Sequence, residues 1–135
     1  MSNATSPYSP SVGSPIPLDT AAKWTKKYQQ EHPEFDEDGV AQEPTYATFF
    51  GRKALKKLMK RWGKRCVGIR IYQGIDDTDS TTTTNRRRVV LVAVDKHGND
   101  LLDVSKCEDG SVADPVLDNG LTCPKHCSND SPLIQ

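Results

Sequence analysis

Near the C-terminus stands CPKHC, Cys123 to Cys127, with Pro124, Lys125 and His126 between the two cysteines. Thiolate and imidazole are the ligands zinc prefers, and structural sites close tetrahedrally on four of them, drawn from closely spaced pairs. Cys107 lies upstream, so Cys107, Cys123, His126 and Cys127 form a countable candidate set for a metal or a disulfide. Cys66 and His97 are more distant candidates. The second close pair that marks a zinc ribbon is missing. Thiol oxidoreductases favour two intervening residues and a helix N-terminus behind the first cysteine, and CPKHC has neither. Reduced packing cysteines, a disulfide and a zinc site remain the alternatives, each fastening an irregular tail to the core.

The second chemical feature is charge. Residues 46–75 carry nine basic side chains and no acidic one, between flanks of net negative charge over 1–45 and 101–135. Within this stretch Arg52, Lys53, Lys56, Lys57, Lys60, Arg61 and Lys64 surround a narrow apolar stripe, Leu55, Leu58, Met59 and Trp62, at helical spacing. Such a helix could line a phosphate backbone, with Arg86, Arg87 and Arg88 extending the patch, or bind a protein partner. The plain alternative is a solvated face neutralised by the acidic flanks. No helix-turn-helix, RRM or KH pattern accompanies it. The acidic runs Asp36-Glu37-Asp38-Gly39 and Asp76-Asp77-Thr78-Asp79 lack the ligand spacing of an EF-hand loop and read as solvated loops. No Gly-x-Ser-x-Gly, phosphate loop or His-Glu-x-x-His is present. The expectation is therefore no catalysis and no cofactor, zinc excepted.

The elements that must position these residues follow from periodicity. Residues 1–17 are rich in Ser and Pro and read as a flexible arm. Leu18-Asp19-Thr20 looks like a helix start, Asp19 or Thr20 capping and Leu18 acting as a staple. Ala21, Trp24 and Tyr28 continue on one face, and Pro33 stops the helix near Glu31. Thr48 is a candidate cap for the basic helix, and Gly63 its stop. CVGIRIYQG alternates as a strand with one face inward. VVLVAV is apolar throughout, as a central strand covered on both faces. DKHGND makes a turn, and Leu101, Leu102 and Val104 form a third strand. Residues 105–135 carry turn chemistry throughout.

The predicted fold is α+β: two N-terminal helices packed on a small antiparallel three-stranded sheet, with an irregular C-terminal tail. The chain divides as arm 1–17, core domain 18–104 and Cys-containing tail 105–135 packed on the core. Its 135 residues suit one domain, and 35% hydrophobic content limits the core. No run approaches the roughly 18 apolar residues of a membrane span. The N-terminus has no basic and apolar leader, so a cytoplasmic location is expected, where cysteines usually stay reduced.

CVGIRIYQG, then VVLVAVDKHGNDLL, then CPKHC followed by SPL resemble a family of short bacterial proteins of unknown function, over residues 18 to 133. The resemblance implies a strand-hairpin core and a recurring C-terminal Cys-Pro-x-x-Cys tail. It implies no activity, cofactor or substrate. The leading expectation is a small non-catalytic interaction or assembly module that binds a protein partner or self-associates as a homo-oligomer. The alternatives are a nucleic-acid-associated protein using the helix 52–64, and a small structural zinc-binding protein.

Overall fold

Trp62 of the basic segment and Ala93 of the VVLVAV run meet in one core, while Met59 of the expected apolar stripe is exposed. The computed structural model describes residues 6–35, 38–42, 45–76, 87–123 and 128–134. Its helices are α1, Leu18–Glu31, and α2, Arg52–Lys60. Its strands are β1 Glu34–Phe35, β2 Ala41–Gln42, β3 Ala47–Phe49, β4 Gly68–Ile75, β5 Arg87–Val94, β6 Val116–Leu117 and β7 Leu121–Cys123. Short 3-10 turns cover Gly63–Arg65 and Val104–Lys106.

Two units form. The first takes Met1–Gly13, Phe50–Gln73 and Val89–Asn119; the second takes Ser14–Phe49, Gly74–Arg88 and Gly120–Gln135. The first unit holds α2, β6, most of β4 and β5, and the buried apolar side chains Leu58, Trp62, Leu91, Val92, Ala93, Val94 and Leu101. Strand order is β4-β5-β6, which makes β5 central and accounts for its unbroken apolar run. Leu91 faces Leu117 and Val92 faces Val116 in antiparallel register. Trp62, Ala93 and Leu101 are the centre of the cluster, with the thiols of Cys66 and Cys107 packed against it.

The second unit holds α1 and two two-stranded sheets, β1-β2 and β3-β7. Ala47, Thr48 and Phe49 pair with Cys123, Thr122 and Leu121. Cys123 and Thr45 are its buried residues among those described, and α1 buries none.

This corrects the predicted architecture. The two helices do not pack together on one three-stranded sheet: α1 and α2 belong to different units, and short strands separate them in the chain. The third strand of the sheet is β6, in the tail, and not residues 101–104. Val94 bridges Asp100, and the Leu101 amide donates to the Ala93 carbonyl at 2.8 Å, but the hairpin goes no further. Asp103 ends it by accepting from the Ser105 amide and hydroxyl, which draws the backbone into a 3-10 turn instead of a ladder. Thr48 lies in β3 and caps nothing; α2 starts at Gly51 without a side-chain cap. At α1 the capping position falls to Pro17, again without a side-chain cap, and Leu18, Asp19 and Thr20 are already helical. Gly63 does end the basic helix, with φ +59, and a Cβ there would fall 1.7 Å from Glu108 Oε2.

Candidate functional site

The basic segment divides into an outer face and an inner tie. Arg52, Lys53, Lys56, Lys57 and Lys60 are exposed along α2, and Lys64 is exposed just beyond it. Among the described residues none of these six has an acidic partner. Leu58 and Trp62 turn inward, so the lysines at the intervening positions must face water.

Arg61 leaves this face. It is 6% exposed, less than any other charged side chain described. Its Nη1 donates to the Asp114 carbonyl at 2.7 Å, its Nη2 to the Ala113 carbonyl, and its Nε to Cys107 Sγ at 3.4 Å. The Glu108 amide donates back to the Arg61 carbonyl at 2.8 Å. The guanidinium also lies 5.5 Å from the Trp62 ring centroid, and that of Arg65 lies 5.4 Å from it. A planar fork of five donors suits this multiple capture of carbonyls. Arg61 is therefore a strap holding residues 107–114, and it is not available to a ligand. The available signal was position: Arg61 follows Leu58 by three residues, at the border of the apolar stripe.

The arginines expected to extend the patch are engaged elsewhere in the second unit. Arg87 pairs with Glu34 at 3.8 Å and donates to the Tyr28 hydroxyl at 2.6 Å. Arg88 pairs with Asp76 at 3.5 Å. Arg86 lies outside the described residues, as do Asp36, Glu37, Asp77 and Asp79.

A cleft of about 350 Å³ lies in the first unit, between the 63–65 turn and the 95–99 turn. Lys64, Arg65, Lys96 and His97 border it, with Val67 and Leu101 as apolar lining and Asp95 alongside. Asp95 Oδ1 accepts from the amides of His97 at 2.9 Å and Asn99 at 3.0 Å. The Asn99 amide above all, then that of His97 and the charge of Arg65, hold the Asp95 carboxyl below its ordinary value. No sequence motif marks this cleft, because its two walls lie thirty residues apart in the chain.

The described cysteines fall in two states. Cys66 and Cys107 are free thiols in the first unit. Cys123, in the second unit, is disulfide-bonded. A disulfide sulfur offers no thiolate to a metal. Among the described residues no group of three or more metal-binding side chains forms. His126 and Cys127 lie outside the described residues. His97 stands in the cleft, and the His32 ring stacks on Tyr28 at 4.6 Å.

No helix among the described residues is long and apolar enough to cross a membrane. Comparison with protein-family models, with curated proteins and with solved structures gave no match.

Proposed function

We propose that this protein is a non-catalytic assembly module whose second unit is completed by a second copy of the chain. One observation carries the reading: among its described residues the second unit exposes most of its large apolar side chains and buries only Thr45 and Cys123. Trp24 is 63% exposed on α1, with Leu18 and Tyr28 of the same helix also exposed, Phe35, Phe49 and Leu121 exposed in the short strands, and Val40 exposed just before β2. A helix gains most of its stability by burying such a face. Two-stranded sheets of two or three residues are marginal alone and add strands at open edges. Neither strand of the β3-β7 sheet has a second neighbour among the described residues. A second copy carries the same apolar face and the same edges, which suits an isologous contact.

Light scattering across a concentration series tests this. A concentration-dependent dimer that Trp24→Lys dissociates supports the reading. A strict monomer at all concentrations overturns it, and capture of a different protein by the same face would replace the second copy with that partner.

The six exposed cations of α2 and the following turn, none with an acidic partner among the described residues, favour a second reading, a nucleic-acid-associated protein that rests phosphates on the outer face of α2. Fluorescence anisotropy with duplex and single-stranded DNA at low salt tests it. Loss of binding on neutralising Lys53, Lys57 and Lys60 supports it, and no binding at low salt removes it. Zinc remains the third reading, addressed by metal analysis of untagged protein together with a thiol count. Free Cys66 and Cys107 fit a reducing compartment, and the disulfide at Cys123 fits an oxidising one.

A further inference from the structure

We propose that the cleft between the 63–65 and 95–99 turns binds a small phosphomonoester, with Lys64, Arg65 and Lys96 on the phosphate and Val67 and Leu101 against its apolar body. This inference uses only the first unit and depends on neither reading above.

Its walls are built rigidly. On one side, Arg65 donates to the Lys106 carbonyl and lies against the buried Trp62, while the Val67 amide donates to the Val94 carbonyl at 2.9 Å. On the other, the Asp95 amide donates to the Asn99 carbonyl and the Gly98 amide to the Asp95 carbonyl, both at 3.0 Å, in addition to the two bonds that Asp95 Oδ1 accepts. The arm fastens this turn from outside. Ser6 Oγ donates to the Lys96 carbonyl at 2.5 Å, and Tyr8 packs so closely that a Cβ on Gly98 would fall 2.3 Å from its ring. The two turns that present the cations are thus placed before any ligand arrives, and preorganisation of this kind lowers the entropic cost of binding.

Charge selects the ligand. Three cations face one carboxylate, leaving a net +2 at the cleft. Asp95 Oδ1 accepts from two backbone amides, which fixes the carboxylate within the turn. A phosphomonoester carries about −1.5 to −2 at neutral pH, which matches the residual charge better than a carboxylate does. His97 adds a ring nitrogen at the rim. The volume falls at the small end of the range for small-molecule sites, and the apolar lining favours a compact ring or short chain over bare phosphate. A polyanion on the outer face of α2 would share Lys64 and not Lys96 or His97.

The experiment is a titration of the full ¹⁵N-labelled chain with phenyl phosphate, followed by amide chemical shifts. Inorganic phosphate and benzoate serve as partial probes. The expected result is saturable movement of the Arg65, Val67, Lys96 and His97 amides, tighter for phenyl phosphate than for either partial probe. The double variant Lys64→Ala/Lys96→Ala should weaken binding at least roughly tenfold, since each charge-assisted contact is strong. Both lysines are exposed, so the variant keeps its amide dispersion. Lys53→Ala/Lys57→Ala should leave affinity unchanged. Non-saturating shifts, equal affinity in Lys64→Ala/Lys96→Ala, or a loss in Lys53→Ala/Lys57→Ala as large as in the cleft variant would each overturn the proposal.

Discussion

Arg61 Nη1 donates to the backbone carbonyl of Asp114 at 2.7 Å, across fifty-three residues of chain. Through this bond and its neighbour at Ala113, the end of α2 holds the segment that leads into β6. β6 in turn completes the three-stranded sheet.

Removing that strap should be costly. Arg61→Ala leaves two carbonyls without their donor and opens space beside Trp62, and we expect a loss of about 2–4 kcal/mol. Arg61→Lys keeps the charge but loses the fork and should recover only part. Lys57→Ala, on the exposed face, should stay within about 0.5 kcal/mol. Urea unfolding followed by tryptophan fluorescence reads all three, and equal stability of Arg61→Ala and Lys57→Ala would contradict the assignment.

Leu58 lies in the core one helical turn before Trp62. Leu58→Ala should lose about 2–5 kcal/mol. Leu18→Ala, on the exposed face of α1, should cost far less in dilute protein. If the second unit is completed by a second copy, the cost of Leu18→Ala should grow with protein concentration, a comparison that thermal melts at two concentrations provide.

The 95–99 turn carries a pH signature. Backbone amides at Asn99 and His97 lower the Asp95 carboxyl below its ordinary 3.8. A carboxyl depressed on folding contributes stability that is present above its unfolded value and is lost as pH falls through the folded value. Asp95→Asn retains an acceptor for the turn but does not titrate. Wild type should therefore exceed Asp95→Asn in stability near pH 6, and the gap should close below about pH 3.8. A gap that is constant from pH 6 to pH 3 would show that the carboxylate charge is irrelevant to the turn.

Gly98 combines φ +83 with the Tyr8 ring where a Cβ would stand. Gly98→Ala should cost about 1–2 kcal/mol for the left-handed backbone alone and release Tyr8 from the turn. Tyr8→Ala should release the arm without the backbone term. Greater protease sensitivity at residues 6–13 in both variants is the expected readout, and an unchanged cleavage pattern would separate the arm from the turn.

Thiol chemistry gives a direct count. Cys66 and Cys107 are free, and Cys123 is disulfide-bonded. Alkylation of native protein unfolded without reductant should modify Cys66 and Cys107 and spare Cys123, with modification of Cys123 appearing only after reduction. Alkylation of Cys123 before reduction would return the zinc and packing alternatives to equal footing.

How much of this was legible in the chain depends on which force set each element. Periodicity placed α1, the inward Leu58 and Trp62, the central strand β5 and the stop at Gly63, because each depends on neighbours within a few residues or on burial in the core, but it also put Met59 on the inward stripe, where the structure leaves it exposed. The same periodicity could not show that Trp24 and Tyr28 stay exposed on α1 while Ala21 is half-buried, because a helical pattern reports a face without reporting what covers it. The cleft was invisible for a related reason, since Lys64 and Lys96 are brought together by the sheet and not by spacing.

The amino-acid sequence by itself determined where the positive charge concentrates, which residues can enter a core and where the chain must turn. Tertiary structure alone decided that Arg61 faces inward while the lysines of α2 face water, that β6 and not residues 101–104 completes the sheet, and that Cys66 and Cys107 remain thiols while Cys123 is disulfide-bonded. The physical reason is common to all three. Each outcome turns on which distant backbone or side chain arrives to satisfy a donor, an edge or a sulfur, and that is set by the closing of long loops and not by local propensity.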